Sequence, residues 1–353
     1  VLLLALFACT SSPWRGELDV SGQLEVVLDA SDGLNRPQDL DFNPERPGEL
    51  WVVNRNDDSV TIVTDAPEDS RSSEHIIDPY ALHFMERVSS IAFGAPGTFG
   101  TCQDSRNTYN GNAAPDNFMG PALWSHDMEV FGKSNPDAVA YLSSKSGMPT
   151  DLGSHLDMLH ESPLCVGIAW DQLNVYWVFD GAHDAIVRYD FREDHGPGFD
   201  DHSDGIITRY IEGEVARVNG AVAHLELDPD ADELLIADAG NGRVLALDTT
   251  SGRVGEQLRS RELGVDHHTK DDAAFEVLID GLVQPGGIVL IDDHVVVTDV
   301  GTGEVLIFTR AGKQIATLDT GRGPDALAGL TGLSLDDLWV VDADADEVLR
   351  LRP

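Results

Sequence analysis

Four imidazoles stand just ahead of short apolar segments, and imidazole is the side chain best suited to hold a transition metal near neutral pH. His83-Phe-Met-Glu-Arg87 precedes Ile91, His155-Leu-Asp-Met-Leu-His160-Glu161 precedes Ile168, and His224 leads directly into Leu225. If those apolar segments are strands around a common axis, His83, Arg87, His155, His160 and His224 crowd one face, near the channel mouth. His267 and His268, in a long loop, open on that face too. Imidazoles converging from separate strands would hold zinc or copper. The alternative is a scatter of surface histidines, because twelve in one chain make some clustering expected.

Two further groups could carry metal chemistry. Met85, Met128 and Met158 each lie within three residues of a histidine, and thioether with imidazole suits Cu(I); methionine also fills irregular gaps in a core. Glu193–Gly205 (EDHGPGFDDHSDG) carries Asp194, Asp200, Asp201 and Asp204 with His195 and His202. Oxygen ligands alternating with glycine suit calcium, although the spacing is not that of an EF-hand and a solvated acidic turn has the same composition.

Much other chemistry is excluded. There is no Gly-x-Ser-x-Gly elbow, Walker loop, His-Glu-x-x-His or Cys-x-x-Cys. Lys and Arg number 23 against 62 Asp and Glu, a formal charge of −39, which repels nucleic acid and anionic membranes. Residues 1–9 read as the end of a secretory signal, too short to span a bilayer as a helix. Leu6-Phe-Ala-Cys9 resembles the bacterial lipobox, so Cys9 is the expected lipidation site, followed by a tether over 10–21. Removing Cys9 leaves Cys102 and Cys165, a plausible disulfide in an oxidising compartment. The expectation is a monomeric protein exported to a bacterial envelope, periplasmic or cell-surface, touching membrane through its lipid alone.

The elements that would position these residues repeat along the chain. Leu225–Asp228, Leu234–Ala237 and Val244–Leu247 read as three strands joined by Asp/Asn/Gly turns. An Asp or Asn ends the second strand of each copy and a β-branched residue follows six positions later: Asn54 and Val60, Asp180 and Ile186, Asp238 and Val244, Asp299 and Val305, Asp342 and Val348. Lys133 and Val139 make a sixth candidate. Apolar inner segments precede each copy at Leu40, Ile91, Ile168, Leu225, Ile288 and Leu330. Six such units predict an all-β, six-bladed β-propeller over 22–353, its ring closed by the orphan strand 22–29 joining the last blade. Two insertions interrupt it: 95–121, between the first and second strands of blade two, and 193–205. Cys102 then falls nominally on the face opposite Cys165, so the disulfide requires the first insertion to fold back.

Leu234-Leu-Ile-Ala-Asp238 followed by Asn241-Gly-Arg243-Val244 resembles the NHL repeat. Pro285-Gly-Gly-Ile288 with Val297-Thr-Asp299, and Val166-Gly-Ile-Ala169 with Tyr176-Trp-Val-Phe-Asp180, match in part. The resemblance covers about residues 36–352 and implies a propeller that binds a small ligand or envelope protein at the channel-mouth face. It also opens an alternative, a metal-dependent (zinc, copper or calcium) lyase or hydrolase. On the plan of the peptidyl-hydroxyglycine amidating lyases, His83, His160 and His224 would be ligands and Arg87 the substrate-binding cation, with a metal-bound base taking a proton. On that of calcium-dependent sugar-lactone hydrolases, Asp39 and Glu86 would need further oxygen ligands in the channel.

Overall fold

The computed structural model describes residues 14–16, 23–108 and 116–352; Cys9 and the signal-like segment lie outside them. Six antiparallel blades surround a central channel, their inner strands being Pro37–Phe42, Val88–Phe93, Cys165–Gln172, Leu225–Asp228, Pro285–Ile291 and Leu327–Ser334. Blade six lacks its own fourth strand, and Gln23–Leu28 supplies it by pairing antiparallel with Glu347–Arg352. This closure leaves no free edge where the ring's two ends meet. Trp14–Gly16, within the expected tether, adds a further strand to blade five by pairing with Gln314–Asp319; three residues are too few to show strand alternation.

The recurring Asp or Asn has a definite task. Asp299 accepts from the backbone N–H groups of Val283, Gln284 and Gly301, at 2.8, 2.9 and 3.1 Å. Asp238 accepts from Ala216 N at 2.8 Å and Asn54 from Asn35 N at 3.0 Å. Each buried side chain satisfies backbone donors of the loop that enters its own blade, where an unmade bond would be costly. Between blades the core divides into apolar clusters. One packs Trp51 against Phe93, Phe99 and Phe131, with Met85, Met119 and Met158 beneath them. Those thioethers fill the core, as irregular gaps require.

Blade two departs from the sequence reading. Its second strand is Thr98–Gln103, so the turn after the inner strand is short and the long connection, from Asp104 to Pro121, follows the second strand instead. The hairpin expected around Lys133 and Val139 is a helix, Pro136–Ser146. Asn135 caps it by accepting from Asp137 N, proline occupies its first turn, and Gly147 ends it at φ 76°. Asn-Pro and the later glycine are helix punctuation that also reads as turn punctuation. Because Thr98–Gln103 runs back towards the mouth face, Cys102 comes beside Cys165 with Cα atoms 5.2 Å apart, and the disulfide forms without the insertion folding back.

Blade three is widened. Arg253–Gln257 and Asp266–Asp271 form a hairpin inserted between the third and fourth strands of blade four, and its second strand pairs parallel with Ile206–Tyr210. His267 and His268 therefore sit on an added outer strand and not in a loop ahead of blade five. No helix among the described residues is long and apolar enough to cross a membrane.

Candidate functional site

The channel is divided by a waist at the third position of the inner strands. A Cβ on Gly167 would lie 2.1 Å from Ala223 O, and one on Gly329 would lie 2.3 Å from Asp39 Oδ1, so only glycine fits there. The space so left takes two polar side chains from opposite blades. His224 Nδ1 lies 3.3 Å from Asp39 Oδ1, and His224 Nε2 lies 3.2 Å from Ser89 O. Asp39 also accepts from Ile91 N at 3.0 Å and Leu40 N at 2.9 Å. Burial lowers the His224 pKa to about 4 and raises that of Asp39 well above its usual range, so desolvation works against the charged form of both groups.

A cup opens on either side. The one at the mouth face, about 320 Å³, is lined by Arg36, Gln38, Asn219, Gln284 and Asp325 over an apolar wall of Val222, Val300 and Leu327. The opposite one, about 300 Å³, holds Asp41, Glu226, Trp170 and Thr331. Burial, helped by their mutual repulsion with neighbouring carboxylates, raises Asp41 to about 7 and Glu226 to about 8.

The other histidines gather elsewhere, on the outer side of blades two and three. His83 lies in the short helix Ala81–Phe84, His155 on blade two's outermost strand His155–Met158, and His160 just beyond it. His83 Nε2 and His160 Nε2 are 3.2 Å apart. His160 Nδ1 meets Glu262 Oε1 at 2.5 Å and Phe118 stacks on the ring at 3.6 Å. The carboxylate fixes the proton on Nδ1 and leaves the Nε2 lone pair towards His83. His155 bonds Leu152 O through Nδ1 at 2.9 Å, and its buried Nε2 has no hydrogen-bond partner. Burial lowers His83 to about 4 and His155 to about 3. His202 behaves oppositely. Burial opposes its charge, but Asp157 at 2.6 Å and Asp200 at 3.1 Å outweigh it and raise the pKa to about 10.

The structure thus joins His83, His155 and His160 and sends His224 to the channel. Sequence register places all four ahead of an inner strand, but that stretch is also the end of the preceding outer strand, far from the axis. Arg87 is exposed on the mouth face, near enough to Arg55 to help lower that residue's pKa beneath the effect of burial. Glu86 is taken up by Ser105 and Thr108, so it does not join Asp39 in the channel. In the acidic loop, Asp194 and Asp201 hold turns at Gly196 and Ser203, while Asp200 and Asp204 reach His202 and His195. Its oxygens therefore serve separate partners. His195 and His202 stand out in the sequence only as part of the acidic loop, and Asp157 and Glu262 do not stand out at all, although Asp157 lies between His155 and His160.

No family model and no curated protein matches the chain. Solved structures do resemble it. An auxiliary nutrient binding protein from Bacteroides ovatus aligns with a TM-score of 0.54 at 12% identity, over 94% of this chain and 76% of that one. The PQQ-bound aldose sugar dehydrogenase of Streptomyces coelicolor gives 0.54 at 16%, over 94% and 98%. Virginiamycin B lyase of Staphylococcus aureus, with quinupristin, gives 0.52 at 10%, over 94% and 99%. At these identities the likeness establishes a six-bladed β-propeller, a scaffold that hosts unrelated activities.

Proposed function

We propose that this protein is an exported binding propeller that takes a small, uncharged, hydroxyl-rich molecule into the mouth-face cup. The observation that carries this reading is the cup's make-up. It is lined by the three amides Gln38, Asn219 and Gln284 with one charge of each sign, Arg36 and Asp325, over the apolar wall of Val222, Val300 and Leu327. Amides donate and accept, as hydroxyl groups do, and about 320 Å³ is at the small end of ligand pockets. The similar nutrient binding protein from Bacteroides ovatus is consistent with such a role. The Cys102–Cys165 disulfide supports an oxidising compartment, and lipidation at Cys9 would anchor the chain to the envelope. Calorimetric titration with neutral sugars and polyols, beside amino acids and sugar acids, tests the reading. A neutral polyol should bind saturably, and Asn219→Ala with Gln284→Ala should weaken it at least tenfold. Binding unaffected by that double variant, or confined to charged ligands, sinks it.

A second reading, metal-dependent lyase or hydrolase chemistry, is favoured by the His83–His160 pair. Two imidazole nitrogens on a tetrahedral zinc lie roughly 3.3 Å apart, close to the 3.2 Å found. His83 and His160 would hold zinc or copper there, with Glu262 orienting His160. Calcium, which takes oxygen ligands, does not suit this pair.

A further inference from the structure

A different group of side chains carries an inference independent of the cup and of the His83–His160 pair. Asp157 lies on blade two's outermost strand and is fully buried. Its Oδ1 accepts from His202 Nδ1 at 2.6 Å, but its Oδ2 has no hydrogen-bond partner. A buried carboxylate oxygen with nothing to accept from is rarely left so in a folded protein. Two side chains of the loop following blade three's third strand stand beside it. His195 Nε2 is 3.0 Å from Asp204 Oδ1, and one ligand atom from each of Asp157, His195 and Asp204 lies within 4.8 Å of the others.

The loop is built to hold that position. Gly198 N donates to His155 O at 2.8 Å, which hangs the loop on the same strand that carries Asp157. Asp194 Oδ1 accepts from Gly196 N at 2.6 Å, closing a tight turn around His195. Asp204 Oδ2 accepts from Glu193 N at 3.3 Å. His202 sits between Asp157 and Asp200 and fixes the plane of the Asp157 carboxylate, the support that metal-binding carboxylates ordinarily have.

We propose that Asp157, His195 and Asp204 form a binding site for a divalent transition-metal ion of the zinc class. One imidazole with two carboxylates is a mixed nitrogen and oxygen set, which suits zinc and not calcium or magnesium. Donors on a tetrahedral zinc stand roughly 3.3 Å apart, so closing on an ion asks for small side-chain movements. The His195 and Asp204 side chains keep 20% and 35% of their surface exposed. Solvent or a ligand therefore reaches a remaining coordination position.

The test uses the tag-free chain, stripped with EDTA, dialysed and titrated with Zn²⁺ in competition with a chromophoric chelator. Saturable binding is expected in the parent, at least tenfold weaker in His195→Ala and in Asp204→Asn, and unchanged in His83→Ala. Both loop variants alter partly exposed side chains, and circular dichroism confirms that they fold. Co²⁺ substitution should give the visible bands of a four- or five-coordinate nitrogen and oxygen site, bands lost in Asp204→Asn. Absence of zinc binding, parental affinity in both loop variants, or Ca²⁺ binding tighter than Zn²⁺ would each overturn the assignment. So would loss of this binding in His83→Ala alone, which would place the ion at the His83–His160 pair.

Discussion

His224 and Asp39 meet across the channel from opposite blades, Nδ1 to Oδ1 at 3.3 Å, at a level where neighbouring blades present glycine. The channel is consequently two cups back to back and not a pore. Asp39 also serves the backbone, accepting from the N–H groups of Leu40 and Ile91.

Asp39→Ala should therefore destabilise strongly. It strands two buried N–H groups, each costing about 1–3 kcal/mol, and a loss on the order of 3 kcal/mol in urea denaturation is expected. Asp39→Asn keeps one of the two acceptor oxygens, Oδ1 serving Leu40 N and Oδ2 serving Ile91 N, and should lose less than Asp39→Ala. Equal losses for the two variants would show that the waist acts through packing alone.

Stability should fall as pH rises through neutrality. Asp41 and Glu226 have folded pKa values of about 7 and 8, above the unfolded values, so the native state binds more protons in that window. The slope of unfolding free energy with pH is then negative between about pH 4 and 8. Glu226→Gln, already neutral, should match the parent at pH 4 and exceed it at pH 8.5 in thermal melts. A variant no more stable than the parent at pH 8.5 would contradict the raised pKa.

The Cys102–Cys165 bond joins residues 63 apart in sequence. Chain-entropy arguments give such a crosslink about 4 kcal/mol of stabilisation. Cys102→Ser with Cys165→Ser should lower the denaturation midpoint accordingly, and thiol titration of the denatured parent should find neither sulfur free.

If His83 and His160 hold a metal, protein purified without chelator should contain zinc or copper. His83→Ala should lose one equivalent beyond any ion held at Asp157, His195 and Asp204, while His224→Ala, remote from the pair, should retain the parental content. Elemental analysis of the three proteins decides this, and loss in His224→Ala would return that residue to the ligand set.

The ring was legible in the sequence because its grammar is local. An aspartate that satisfies its own blade's loop must recur at a fixed distance from the next strand, as Asp238 and Asp299 do. Blade two was misread where two structures share one punctuation, since Asn135-Pro136 caps a helix as readily as it opens a turn. The histidine centre was half legible. His83, His155 and His160 are near one another in the chain's pattern, but Glu262 arrives on a hairpin belonging to blade four, and His195 and His202 arrive on a loop of blade three. No local pattern announces that kind of meeting. The pairing of His224 with Asp39 was hidden for the same reason, being a contact through the axis.

The blade-four hairpin makes the seams of the ring unequal. At all seams but one the described strands of neighbouring blades do not pair, although single backbone hydrogen bonds cross some of them, as from Gly198 N to His155 O and from His224 N to Gly286 O. Between blades three and four the chain is riveted, because Asp266–Asp271 is hydrogen-bonded into the neighbour's sheet. The tip of the same hairpin reaches onward to blade two, where Ser260 and Arg261 bond Glu161 and Glu262 bonds His160. Three consecutive blades are thereby laced into one unit. A ring forced open by denaturant or by permutation of its termini should part elsewhere first, leaving blades two to four together with the histidine centre intact.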